Sequence, residues 1–239
     1  MAARPRVRIR EVIRSTDPVV ASGHELLRRT FPTMELVDRS EWRHSLRERE
    51  AGLWTDIQWH LVVAEVGRRV VGVATGNYLG NVNTGVIGYL AVVPDARGLR
   101  IGPRLRARLL SLFRRDAIRT RREPLGAVIG EVRADNPWLR TLVRRGRVLP
   151  LDFGYLQPRL RRGGRAVSLV LYYESFDRSR RRLSARLLRK LLYTLWRRIY
   201  RISRPLSHPA FRKMIAELDR RRIIGPISFP RLHGGHPNA

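Results

Sequence analysis

GVIGYLAVVPDARGLRIGPRLRARLLSLFRR, residues 85–115, joins an apolar run, a short polar loop and a leucine-striped run without a gap. Val86, Ile87, Tyr89, Leu90, Val92 and Val93 are β-rich, and the run stops at Pro94. Leu105, Leu109, Leu110, Leu112 and Phe113 then recur at helical spacing behind Pro103, a residue suited to a first helical turn. The reading is strand, loop, helix. Gly98 and Gly102 flank the turn, and a residue without a Cβ lets peptide N–H groups approach whatever lies above them. A helix N-terminus reached through such a loop is a ready site for an anionic phosphate, so the stretch predicts a pyrophosphate cradle.

The order Val92-x-Pro94-x-x-Arg97-Gly98-Leu99-Arg100-Ile101-Gly102 resembles the acyl-CoA loop of the GNAT N-acetyltransferase superfamily, which usually reads Arg/Gln-x-x-Gly-x-Gly/Ala. Arg97 and Gly102 match the outer positions, while Arg100 stands where the middle glycine usually is. The resemblance covers residues 6–174. It implies an α/β (α+β) fold with a mixed, mostly antiparallel central sheet of about seven strands flanked by helices. Beyond it lies a basic helical extension, so the expected organisation is an acyltransferase domain over residues 1–176 and an extension over 177–239.

A chain of 239 residues is long enough for one good core with an appendage. There is no cysteine, which excludes disulfides, thiolate metal sites and a cysteine acyl-enzyme. The basic N-terminus lacks the apolar centre of a signal peptide, and no run of about 18 apolar residues occurs, so the expected location is cytoplasmic. The formal charge is +29, and of 49 basic residues only Lys190 and Lys213 are lysine. A GC-rich coding bias would replace lysine by arginine but would not create the excess over acids. A second copy of the chain, an acidic carrier protein, an anionic membrane surface and nucleic acid are the partner classes weighed beside CoA.

Residues 6–13 alternate as a strand, and Asp17-Pro18 opens a helix through Leu26 and Leu27 to Phe31. A second helix begins near Asp38 and carries Trp42 and Leu46. By resemblance Phe31, Met34, Trp42 and Trp54 line the acceptor site, although core packing explains the same residues. Residues 59–65 and 70–79 form a hairpin across Gly67. Residues 125–132 are an apolar strand, Asn136-Pro137 starts a short helix closed by Gly146, and residues 153–158 and 166–173 read as two more strands. The superfamily's usual tyrosine on that short helix is missing, because Leu142 and Val143 occupy its place.

The segment from residue 177 onward carries 17 basic residues against three acids. Leu183, Leu187, Leu188, Leu191, Leu192, Leu195, Trp196 and Ile199 fall on one side of a helix, opposite Arg182, Arg186, Arg189, Lys190 and Arg197. A second helix is expected over residues 207–222 behind Pro205. A helical hairpin packed on the domain, an amphipathic helix on anionic lipid and a nucleic-acid contact are the readings of this segment.

What the resemblance implies for chemistry is direct transfer of an acetyl or short acyl group from acetyl-CoA to an amine whose identity stays open. Leu90, Ala91 and Val92 would offer main-chain hydrogen bonds to pantetheine and thioester. Arg97, Gly98, Leu99, Arg100, Ile101 and Gly102 would hold the pyrophosphate, and Asn136 is carried over as a further cofactor contact. Glu131 is the candidate base and Tyr155 the candidate acid, with Tyr89 an alternative. His24, His44 and His60 lack metal-ligand spacing, so no metal is expected. Two other readings are a donor carried by an acyl carrier protein, and a CoA-sensing or nucleic-acid-binding protein that does not catalyse.

Overall fold

Apolar alternation and glycine turns build the first half of the chain. The computed structural model describes residues 6–146, 148–160, 164–176 and 182–227, without the side chain of Met34. Two compact units divide it, Met1–Leu125 and Gly126–Ala239. The first contains β1 (Val7–Val12), α1 (Val19–Arg28), α2 (Arg39–Glu50), β2 (Ile57–Val66), β3 (Arg69–Leu79), β4 (Thr84–Val92) and α3 (Ile101–Arg121). Its strands lie in the order β1-β2-β3-β4, each antiparallel to its neighbour. The β2–β3 hairpin turns at Gly67, whose φ of +58° suits glycine.

Helices α1 and α2 bury Val20, Leu27, Trp42 and Leu46 in one cluster with Leu61, Val63 and Val73 of the sheet. Helix α3 packs on β2, β3 and β4 through Leu105, Leu109, Leu112 and Phe113. Glycines allow that close approach. A Cβ on Gly72 would lie 2.9 Å from the Ile101 side chain, and a Cβ on Gly85 would lie 2.3 Å from the Phe113 ring. Through Ile101 the N-terminal turn of α3 is thus seated against β3, while Phe113 farther along the helix lies against β4.

The second unit contains β5 (Ala127–Val132), α4 (Pro137–Arg144), β6 (Leu149–Pro150), β7 (Leu156–Gln157), β8 (Val167–Ser168), β9 (Val170–Ser175), β10 (Leu183–Ser184), α5 (Ala185–Thr194), α6 (Pro209–Asp219) and β11 (Ile223–Ile224). Here the strands run β5-β9-β6, all antiparallel, with β7–β8 and β10–β11 as separate short pairs. Four sheet strands in the first unit and three in the second give the seven, mostly antiparallel and flanked by helices, that the α/β reading predicts.

Two boundaries differ from expectation. The strand predicted over residues 153–158 shrinks to β7, because Gly154 loosens its start and Pro158 has no N–H to continue a ladder. Helix α3 starts at Ile101, so Pro103 sits inside its first turn, as the sequence reading has it. The long helix of the C-terminal segment ends its regular part at Thr194 and continues as a π-turn over Leu195–Ile199. Most of its apolar stripe is occupied by core packing: Leu188, Leu191, Leu192, Leu195 and Trp196 are wholly buried, while Leu187 and Ile199 are partly exposed. Among the described residues no helix is long and apolar enough to cross a membrane.

Candidate active site

In the first unit, β4 is irregular where it would need to be. Ala74 pairs with Leu90 and Gly76 with Ile87, so Thr75 alone opposes Gly88 and Tyr89. That is a β-bulge in β4, a device that bends a strand and re-aims its peptide groups. The Tyr89 N–H goes to the Thr75 hydroxyl, 3.1 Å away, instead of to a ladder carbonyl. Beyond the bulge Leu90 and Val92 are half-buried and Ala91 is buried.

The chain then leaves β4 through Pro94–Ala96, a single 3-10 turn. Arg97 and Gly98 are exposed, and Gly98 has φ +89°. Arg100 is the N-cap of α3, in the left-handed conformation at φ 55° and ψ 29°, and gives no side-chain cap hydrogen bond. Side chains other than glycine resist that conformation by roughly 1–2 kcal/mol. Arginine thus occupies a position whose backbone favours the glycine of the usual motif. Ile101 is buried, whereas a Cβ on Gly102 would meet only Leu90 and Val92 side chains at 3.7 and 3.9 Å, ordinary contact. The protein's own packing does not demand glycine at residue 102. What remains is a 21-residue helix whose first peptide N–H groups no side chain caps, beside exposed Arg97 and Arg100. Such an end favours anions by its dipole and its unpaired donors.

In the second unit a carboxylate lies between two phenols. The Tyr155 hydroxyl donates to Glu131 Oε1 at 2.6 Å, and the Tyr200 hydroxyl makes a short bond to Glu131 Oε2. Gln157 Nε2 donates to the Tyr200 oxygen at 3.2 Å, which leaves the phenol's own proton for Glu131. Tyr155 is completely buried, while Glu131 keeps some exposure as a residue. Loss of water around the carboxyl group pushes the Glu131 pKa up to about 7, against the pull of the two phenol donors. Burial and the neighbouring Glu131 charge push Tyr155 well above its usual value. In a chain so rich in arginine, this carboxylate is bonded to neutral donors.

The matching family model is that of the acetyltransferase (GNAT) family, over residues 22–122. A solved chain assigned to the GNAT family from Bacteroides thetaiotaomicron superposes with a TM-score of 0.59 at 16% identity, covering 82% of this chain and 99% of that one. An acetyltransferase of the GNAT family from Streptococcus pneumoniae gives 0.50 at 11% identity, covering 72% and 100%. This is a GNAT fold. No curated protein matches the chain. The segment matched by the family model, residues 22–122, includes the whole β4–loop–α3 unit.

Other predicted residues have structural work. The Tyr89 hydroxyl donates to the Glu35 carbonyl at 2.7 Å and accepts from the Val37 N–H at 3.1 Å, holding the segment between α1 and α2. Trp42 is 2% exposed and belongs to the core, as the packing alternative has it, whereas Trp54 is exposed. The Met34 side chain lies outside the described residues. The Asn136 side-chain oxygen accepts the Trp138 N–H at 2.9 Å, so it caps α4. The resemblance pairs Glu131 with Tyr155 by function, and the fold brings them into contact. It missed Tyr200, which follows the π-turn and carries no signal in the leucine periodicity. His60, named in the sequence only as lacking metal-ligand spacing, has ring nitrogens 2.7 Å from Glu11 Oε1 and 2.6 Å from Asp116 Oδ2. Among the described residues no group of three or more His, Asp or Glu is arranged to hold a metal ion.

Proposed function

We propose that this protein is an N-acyltransferase that moves an acetyl or short acyl group from acetyl-CoA to an amine by direct attack in a ternary complex. The observation that carries the reading is the start of α3. Left-handed Gly98 and Arg100, an uncapped helix end and a residue 102 with no side chain suit a diphosphate. Arg97 and Arg100 add positive charge, and Leu90, Ala91 and Val92 of the bulged strand are the proposed main-chain partners of the pantetheine arm and the thioester oxygen. One peptide N–H aimed at the oxyanion is worth roughly 3 kcal/mol of barrier.

A lysine-like amine with a pKa near ~10.4 arrives protonated and has to lose that proton before it attacks. Glu131, pushed up to about 7, is matched to the task of a base near neutral pH. In the proposed step Glu131 takes the ammonium proton, the freed nitrogen bonds to the carbonyl carbon, the C–S bond breaks, and the second proton that the nitrogen sheds on becoming an amide goes to solvent. Tyr155 gives its proton to the departing sulfur and recovers one from Glu131 across their 2.6 Å hydrogen bond. A raised phenol pKa does not favour a free tyrosinate, so the two transfers have to be coupled.

Calorimetric titration with acetyl-CoA tests the binding half; silence at roughly millimolar ligand removes it. A screen of amine acceptors by thiol release tests transfer and identifies the acceptor class. Exposed Arg97 and Arg100 also suit the acidic surface of an acyl carrier protein. Salt-sensitive turnover with carrier-bound acyl groups and none with CoA thioesters selects that donor.

A further inference from the structure

Nothing in the composition or periodicity of the C-terminal segment marks it as part of a reaction centre. Yet Tyr200, 69 residues beyond Glu131 in the chain, bonds directly to its carboxylate. We infer that Tyr200 is a positioning residue for Glu131, and that the segment after residue 182 belongs to the proton-handling cluster of the second unit.

Three observations carry this. The two Glu131 oxygens are divided between two phenols, Tyr155 on Oε1 and Tyr200 on Oε2, so the carboxylate has one orientation that satisfies both. Gln157, 6% exposed, donates to the Tyr200 oxygen and thereby directs the Tyr200 proton toward Glu131. The backbone that carries Tyr200 is itself set by the π-turn: the Tyr200 N–H bonds to the Leu195 carbonyl at 3.1 Å, and Leu195 and Trp196 beside it are wholly buried. A regular α-helical turn would rotate that side chain about 100° away from where the π-turn leaves it. The titratable or charged groups bonded to Glu131 among the described residues are these two phenols.

A phenol proton donated to a carboxylate stabilises its ionised form, and burial opposes it. Removing Tyr200 while keeping its ring therefore leaves burial less opposed. The test is Tyr200→Phe, read first in the free protein by following the protonated carboxyl band or labelled glutamate resonance between pH 5 and 9. The expected midpoint for Glu131 moves up by about one pH unit. The role as Glu131's partner in catalysis rests on the proposed acyl transfer. For that part the alkaline shift should reappear in the rising limb of the pH–rate profile, with acetyl-CoA affinity unchanged. Gln157→Met, which keeps the volume, should move the midpoint in the same direction by less, and serves if Tyr200→Phe does not fold. An unmoved midpoint in both variants overturns the inference, as does a moved midpoint with an unmoved rate profile in an active protein. If the parent transfers no acyl group to any amine, the proposed function fails, and the carboxyl titration alone decides whether Tyr200 sets the state of Glu131.

Discussion

Glu11 in the first unit and Glu131 in the second are both drawn out of water, and they end in opposite states. Glu11 shares Oε1 between Arg49 Nη1 at 2.6 Å and His60 Nδ1 at 2.7 Å. Burial works to raise its pKa, but His60 and Arg49 together hold it at about 2. Among the described residues Glu131 is hydrogen-bonded by two phenols, and the same desolvation carries it to about 7. The charge of the partner, more than the depth of burial, decides whether a covered carboxylate is locked or ready to exchange a proton. The first is structural and the second is suited to chemistry.

The largest test of that contrast removes the partner on the locked side. His60→Ala leaves Glu11 and the fully buried Asp116 without their shared contact and should cost about 3–5 kcal/mol in denaturant unfolding. A loss below about 1 kcal/mol would show that water or rearrangement replaces the ring. Next comes pH. Glu131 has its folded pKa raised from 4.5 to about 7, so between those values the folded state holds more protons than the unfolded one. Its contribution to stability is therefore present below pH 4.5 and is lost, by an order of 2–3 kcal/mol, as pH rises toward 7. Glu11, lowered from 4.5 to about 2, does the reverse: it stabilises above 4.5 and loses that as pH falls toward 2. Urea midpoints across pH 4.5–8 for the parent and Glu131→Gln should separate the two, with the fall on the alkaline side present in the parent and absent in the variant.

Three smaller effects sharpen the division between the proposed anion cradle and the proposed proton cluster. Gly102→Leu should weaken acetyl-CoA binding by roughly thirtyfold, about 2 kcal/mol, with the fold intact, because a side chain there meets only ordinary contacts within the chain. Tyr155→Phe should leave that affinity unchanged and slow turnover; full activity would remove Tyr155 as the acid. Arg100→Gly relieves a left-handed arginine at φ 55° and should raise stability by up to about 1 kcal/mol. A drop of that size in its thermal unfolding would mean instead that the Arg100 side chain holds the turn.

Much of the β4–loop–α3 unit could be read from the chain itself. β-Rich Val86, Ile87, Leu90 and Val92, a stop at Pro94 and a leucine stripe behind it are local patterns, and local backbone preferences carry them into β4 and α3 with little help. The bulge at Gly88 and Tyr89 was not legible, since it depends on how Thr75 of another strand meets them. Glu131 and Tyr155 were singled out from their places on successive segments, but their common hydrogen bond spans 24 residues and neither residue's neighbours announce it. The Leu183–Trp196 stripe correctly marked a buried face, while the turn that delivers Tyr200 was hidden, because a π-turn is a departure from the very period used to read the helix.

By itself the order of residues determined where the strands and helices lie and that a glycine-flanked loop opens a long helix, because those outcomes follow from side-chain period and backbone freedom within a few neighbours. Only the tertiary structure decided which carboxylates are neutralised and which are left to phenols. Charge and solvation act through space, and His60, Asp116 and Tyr200 come to their partners from 49, 56 and 69 residues away.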